Sequence, residues 1–246
     1  MSIRPRTAMV LAAGRGTRMR PLTEHTPKPL LPLGGKPLLD HALNRLAEAG
    51  VETVVVTAFW QADRLAAHLQ KRAAAGLRPH TVLRREEALL DTGGGVRAAL
   101  DVLGEAPFYV VNGDAFWVDG PRPALVRLAE TFDDSLDGVL LVHRTFQVHA
   151  EVGLGDFVVD KWGALRRRAE REVVPYIYAG VQLISPALLA GTPDGPFSMN
   201  LAWDRAMAGG RLRAVVHDGL WFHLSTPPDL AEAESVLQAR ATGETR

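Results

Sequence analysis

No cysteine occurs in the 246 residues, which excludes disulfides, thiolate zinc sites and thiol nucleophiles. Net charge is missing too, because 28 basic residues balance 28 acidic ones. A general nucleic-acid binder carries a basic excess, so the arginines here point to a local anionic ligand and not to DNA or RNA. No apolar stretch is long enough to cross a membrane, and the first one ends at Gly14 and Arg15, short of a signal-peptide core. A cytoplasmic protein with no membrane partner is the expectation. Linker-like runs, composition breaks and internal repeats are also lacking, and 47% of the residues are hydrophobic. A single domain over 1–246 follows.

What is present is concentrated near the start. An apolar run from Met9 to Ala13 leads into Gly14, Arg15, Gly16, Thr17 and Arg18, and Lys28 follows between Pro27 and Pro29. Glycines let backbone N–H groups approach phosphate oxygens, the cations supply charge, and the prolines restrict the lysine's loop. This reads as a polyphosphate cradle. Two familiar glycine motifs do not apply. The dinucleotide fingerprint needs a third glycine, and no Gly-Lys-Ser/Thr follows to make a P-loop.

Strand and helix patterns alternate through the first half, which points to βαβ units and a mostly parallel sheet. Strands are expected at Thr7–Ala12, Val51–Ala58, His80–Arg85 and Pro107–Val111, with helices at Pro37–Ala49, Gln61–Ala75 and Val96–Leu103. The run Thr92 to Gly95 then precedes a helix, where free N–H groups face outward. The fourth strand delivers Asn112, Gly113 and Asp114 at its carboxyl end, where open parallel sheets bind ligands. The second half reads as a hairpin over 157–168, strands at Tyr176–Ile184, Arg211–His217 and Leu220–Leu224, and a helix over Ser198–Met207. A last helix is capped by Ser225 or Thr226. The expected fold is α/β: a Rossmann-like, mixed but mostly parallel sheet flanked by helices, with a β-rich insertion in the second half for a second substrate.

Residues 9–30 resemble the signature of the sugar-phosphate nucleotidyltransferases, roughly Leu-Ala-Ala-Gly-x-Gly-Thr-Arg-x-x-Pro-Leu-Thr and then Pro-Lys-Pro. The likeness continues through Leu90–Gly95, Val111–Asp114, Gly155–Phe157 and Leu220–Glu234. The Leu-x-Thr-Gly-Gly-Gly form is typical of the branch that uses N-acetylmuramate 1-phosphate. The resemblance implies transfer from UTP, or another NTP, to a sugar 1-phosphate, with pyrophosphate released. Mannose 1-phosphate with GTP is the alternative pair, and a non-catalytic nucleotide-sugar sensor the alternative class. On this resemblance Arg18, Lys28 and Asp114 form the catalytic set. Leu11, Ala12, Ala13, Gly14, Arg15, Gly16, Thr17, Thr92, Gly93, Gly94 and Asn112 bind the nucleotide, in a half spanning about 1–120. Gly155, Asp156, Glu170, Tyr178 and Gly180 contact the sugar, in a half spanning about 121–246. Arg166, Arg167 and Arg168 are either a solvated hairpin face or a contact for a sugar carboxylate, and Trp117 is the tryptophan expected near the pocket. A monomer or small homo-oligomer is expected.

Asp114, a carboxylate at the open end of a buried strand, suits Mg²⁺, with Mn²⁺ as a second possibility. The family pattern places another carboxylate in Trp-x-Asp-x-Gly-Thr, where this chain has Trp221, Phe222, His223, Leu224, Ser225 and Thr226. Imidazole is a poor Mg²⁺ ligand and a better one for softer metals. His223 therefore coordinates, donates to phosphate, or is not needed.

Overall fold

The computed structural model describes residues 3–148 and 153–243. The first half runs β1 (Thr7–Leu11), the small ladder β2 (Pro32–Leu33) and β3 (Lys36–Pro37), α1 (Leu38–Glu48), β4 (Thr53–Ala58), α2 (Ala62–Ala74), β5 (His80–Arg85), α3 (Asp91–Ala98), α4 (Leu100–Leu103) and β6 (Phe108–Asn112). The second half adds β7 (Phe116–Val118), α5 (Ala124–Thr131), β8 (Gly138–Arg144), β9 (Phe157–Val159), β10 (Leu165–Arg167) and β11 (Tyr176–Ile184). It closes with α6 (Asn200–Ala208), β12 (Leu212–Val216), β13 (Leu220–Phe222) and α7 (Pro227–Thr242).

The main sheet is ordered β5-β4-β1-β6-β11-β8-β12. β1, β4, β5 and β6 are mutually parallel, and β12 is parallel to β8. β11 runs against both neighbours, and the β9–β10 hairpin joins its start through Tyr176 and Phe157. The inner strands are apolar at successive positions, as at Ala8, Met9 and Val10 or Val54, Val55 and Val56, because helices cover both faces. On one face Leu39, Ala42, Leu43 and Leu46 of α1 and Leu125 and Leu128 of α5 pack on the sheet. On the other, Val96, Leu103, Ala202 and Trp203 do so from α3, α4 and α6.

The structure departs from the sequence reading in two places. The helix expected at Val96 starts at Asp91, so Gly93, Gly94 and Gly95 lie inside it and are buried. The reason is packing: a Cβ on Gly93 would stand 2.3 Å from the Phe197 ring, and one on Gly94 would stand 2.3 Å from the Gly195 carbonyl oxygen. The second change is at 116–144, where β7, α5 and β8 carry no sequence expectation. α5 has eight residues, little more than two turns, and β8 is buried throughout its first six positions, so neither shows a long periodic pattern.

β1, β4, β5 and β6 all end at one edge. Residues 12–20, Glu86, Gly113 and Asp114 follow those ends directly, and Thr57 and Asn112 are among the final residues of β4 and β6. β11 approaches the same edge through an irregularity in its pairing with β8 between Tyr178 and Gln182. There Gly180, at φ +78°, allows the strand to pass within van der Waals reach of Asn112 and Ala115.

Candidate active site

The loop after β1 is fixed by its own backbone. Gly16 takes a left-handed φ of +61°, and its carbonyl accepts from Met19 N at 2.9 Å and from the Thr23 hydroxyl at 2.7 Å. A β-carbon at Gly16 would crowd Thr23 and Lys28, each at 3.1 Å, so glycine serves both turn and packing. Ala12 N donates to the buried Thr57 hydroxyl at 2.9 Å. Gly113 N donates to Leu11 O at 2.8 Å, bringing the end of β6 against the start of the loop. A side chain at Gly113 would meet that same oxygen at 2.7 Å. The Asn-Gly-Asp spacing is therefore what sets Asp114 beside the cradle.

Lys28 opens a short helical turn after Pro27, and its side chain is 10% exposed. Its Nζ donates to Asp114 Oδ2 at 2.6 Å. The ion pair keeps the ammonium aimed at the junction between β1 and β6, and the 40% exposure of the Asp114 side chain leaves it open to the cavity.

Two cavities meet here. The larger, about 520 Å³, is lined by Leu11, Ala12, Ala13, Gly14, Gly16, Thr17, Arg18, Lys28, Thr57, Glu86, Leu89, Asp91, Thr92, Asn112, Gly113, Asp114 and Ser225, with Met19 and Pro29. The smaller, about 270 Å³, is lined by Arg18, Asn112, Asp114, Ala115, Asp156, Ile177, Tyr178, Ala179, Gly180, Trp221, Phe222, His223, Leu224 and Ser225. Arg18, Asn112, Asp114 and Ser225 belong to both, so the shared wall carries a cation and a carboxylate. A polyphosphate in one chamber and a phosphorylated molecule in the other would bring their phosphates together at that wall.

Most of the residues assigned to catalysis, nucleotide, sugar or metal from the sequence lie in these cavities; Arg15, Gly93, Gly94, Gly155 and Glu170 do not. Gly93 and Gly94 donate their N–H groups to Phe197 O, at 2.9 and 3.1 Å, and so have none to offer a ligand. Thr92 lines the cavity while its hydroxyl accepts from Met199 N at 2.9 Å. Arg15 is exposed and lies over the Phe59 ring at 5.6 Å. Gly155, at φ +78°, is a close approach to Val174 O, and Glu170 is exposed at a turn. Tyr178 lines the smaller cavity, but its hydroxyl is buried, with its ring 4.7 Å from that of Trp203. Asp156 faces that cavity with Oδ2 accepting from Tyr178 N at 2.9 Å.

Arg166 makes a two-pronged pair with Glu172. Arg167 pairs with Asp204 and covers Phe157 and Trp203. Both behave as a hairpin face. Trp117 is buried in the core with Nε1 on Asp119, and Trp221 takes the wall position instead, its Nε1 donating to Ala179 O at 3.0 Å. Sequence reasoning also passed over Glu86 and Asp91. Glu86 directly follows β5, at the same strand edge that singles out Asp114, and that signal was available.

His223 Nε2 lies 2.7 Å from the Ser225 hydroxyl. Burial, with Arg18 and Lys28 adding to it, holds the imidazole pKa below its ordinary value against the pull of Asp229 and Asp114. The ring is thus biased toward the neutral form that binds metals. Among the described residues no group of three or more His, Asp or Glu side chains converges as a metal cage.

Comparison with known proteins decides the family. A profile of the nucleotidyl transferase family matches residues 7–155. The chain belongs to this family. N-acetylmuramate alpha-1-phosphate uridylyltransferase of Caulobacter vibrioides is 41% identical over 96% of this chain and 99% of its own length. The protein of the same name from Neisseria meningitidis is 33% identical over 94% and 98%. A mannose-1-phosphate guanylyltransferase catalytic subunit beta from Drosophila pseudoobscura is 30% identical over 90% of this chain and 60% of its own length. Among solved structures, a UDP-glucose pyrophosphorylase complexed with UDP-glucose superposes with a TM-score of 0.78 over 95% of this chain and 98% of that one, at 17% identity. The inositol-1-phosphate CTP transferase of T. maritima gives 0.77 at 18% identity, over 97% of this chain and 98% of its own. The nucleotidyltransferase fold is thus shared by relatives that differ in sugar and in base.

Proposed function

We propose that this nucleotidyltransferase joins UTP to N-acetylmuramate 1-phosphate, giving UDP-N-acetylmuramate and pyrophosphate, as a cytoplasmic step in cell-wall sugar recycling. The observation that carries the reading is the pair of cavities sharing Arg18, Asn112, Asp114 and Ser225. UTP occupies the larger chamber and the sugar the smaller. An oxygen of the sugar phosphate attacks the α-phosphorus, the bond to the bridging oxygen breaks, and that oxygen leaves on pyrophosphate. The attacking oxygen is already anionic, so no general base is required. What the protein supplies is alignment and positive charge. Arg18 sits where both chambers meet and neutralises the pentacoordinate phosphorus. Lys28, held by Asp114, adds charge at the same wall.

The residues present fit a divalent metal bound mainly through substrate. Asp114 offers one half-exposed carboxylate, and Mg²⁺ is often held by one or two carboxylates plus phosphate oxygens and water. Asp114 would hold the ion, with His223 as a second ligand, and the ion would neutralise phosphate charge. The family's usual carboxylate is replaced by His223, which makes Mn²⁺ the second ion to test.

The test is pyrophosphate release from each of the four NTPs with N-acetylmuramate, N-acetylglucosamine and mannose 1-phosphates, under Mg²⁺ and Mn²⁺. UTP with N-acetylmuramate 1-phosphate is expected to have the highest kcat/KM. GTP with mannose 1-phosphate leading the panel would replace the substrate assignment. Tight UDP-sugar binding without turnover under either metal would make the protein a sensor.

A further inference from the structure

The wall common to both chambers sets a hydroxyl beside an imidazole. Ser225 lines both cavities, and His223 lines the smaller one. We propose that Ser225 is a positioning residue: its hydroxyl holds His223 in the tautomer whose Nδ1 carries a lone pair, so that this chain grips a divalent ion through one carboxylate and one imidazole and favours Mn²⁺ over Mg²⁺. This rests on the nucleotidyltransferase reading above.

The backbone that carries the serine is fixed. Ser225 N donates to Asp229 Oδ2 at 2.9 Å, and Thr226 N donates to the same oxygen at 2.7 Å. Both bonds belong to the capped start of α7, so that helix sets where the Ser225 side chain begins. The residue is buried, and its hydroxyl has one partner among the described residues, His223 Nε2 at 2.7 Å. The imidazole also packs near Trp221, with ring centres 5.7 Å apart, and Trp221 is itself tied to Ala179 O. His223 Nδ1 makes no hydrogen bond among the described residues.

Charge decides which atom owns the shared proton. A serine hydroxyl has one proton to give and can also accept. Substrate phosphates at the shared wall are anionic acceptors, and they take the serine proton in preference to a neutral ring nitrogen. Ser225 must then accept from His223, which puts the ring proton on Nε2 and leaves the lone pair on Nδ1. A lone pair in a chamber holding anionic phosphate is repelled unless a cation is there too. Asp114 lines the same chamber and acts on the His223 ring electrostatically, so a carboxylate and an imidazole border one space. An acceptor on the second ring nitrogen is the usual way a metal-binding histidine is oriented. Imidazole strengthens binding of Mn²⁺ more than of Mg²⁺, which prefers oxygen ligands.

The test follows Mn²⁺ by electron paramagnetic resonance as it is titrated into the protein with UTP and no sugar phosphate. Isotopic labelling of the histidine nitrogens distinguishes them from those of the base. A histidine-nitrogen coupling to bound Mn²⁺ is expected in the unmodified protein and is expected to vanish in His223→Asp. Competition with Mg²⁺ gives the ratio of the two affinities. That ratio is expected to shift about tenfold or more toward Mg²⁺ in Ser225→Ala, and to stay within about threefold of the parent in Ser225→Thr, which keeps the hydroxyl. General damage to the site weakens both ions together and leaves the ratio alone. Bound Mn²⁺ without a histidine coupling overturns this inference alone. So does a coupling that survives in His223→Asp, or a ratio unchanged in Ser225→Ala. Failure of the unmodified protein to bind UTP with either metal overturns the nucleotidyltransferase reading along with it.

Discussion

At the residue scale, the 2.6 Å pair between Lys28 and Asp114 sets two demands on one carboxylate. It neutralises a lysine whose side chain is 10% exposed, and it stands where a metal would join the phosphates. Asp114→Asn keeps the shape and an acceptor but removes the charge. Turnover is expected to drop by about 10²–10³ or more, in the range seen when one preorganised charge-stabilising group is lost. The fold is expected to survive with a loss of about 1–3 kcal/mol, because the lysine keeps a hydrogen bond but loses its counter-charge. Steady-state kinetics beside urea unfolding separates the two effects. Near-normal turnover would remove Asp114 from the chemistry. His223 makes the complementary point. Its hydrogen bond to Ser225 through Nε2 leaves Nδ1 as the ring nitrogen available to a metal or a phosphate oxygen.

At the element scale, glycines that look alike in the sequence serve different ends. A Cβ on Gly14, which lines the larger cavity, meets nothing within 4 Å, whereas one on Gly93 meets the Phe197 ring at 2.3 Å. Gly14→Ala is therefore expected to unfold within about 0.5 kcal/mol of the parent while weakening nucleotide binding, since the added methyl occupies ligand space. Gly93→Ala is expected to cost about 1–3 kcal/mol through overpacking, with nucleotide affinity per folded molecule little changed. Thermal unfolding and calorimetric titration of both variants check this. The reverse pattern would return the glycine run to the nucleotide. The same contrast shows what was legible in the sequence. β1, β4 and β6 are largely apolar runs bounded by glycines and helices, and their positions follow from period and punctuation. The burial of Gly93 and Gly94 depends on a loop more than 100 residues later in the chain, around Phe197. No local pattern encodes that contact.

At the scale of the whole molecule, the strand order is what makes a two-substrate site. Four parallel strands deliver their carboxyl ends to one edge, and the antiparallel β11 bends over that edge at Gly180, so that Asn112 and Asp114 face both chambers. The lining of the larger chamber was readable because a loop after a buried strand is a local signal. The smaller chamber was only half readable. Asp156, Tyr178 and Gly180 line the smaller chamber, while Trp221, Ile177 and Ala115 complete it from elements whose pairing the sequence does not show. A ligand that spans both chambers should therefore gain more than either fragment. UDP-N-acetylmuramate is expected to raise the unfolding temperature beyond UDP or N-acetylmuramate 1-phosphate at equal concentration, because its second half binds at a high effective concentration. At about 100 times its dissociation constant a ligand adds about 2.7 kcal/mol, so a further tenfold in affinity adds about 1.4 kcal/mol and is resolvable by calorimetry. Equal shifts for the product and UDP would show that the smaller chamber leaves the sugar unbound. Arg18→Ala should then lower the product's advantage more than it lowers the binding of N-acetylmuramate alone, since that arginine touches both chambers at the phosphate and the sugar ring lies beyond it.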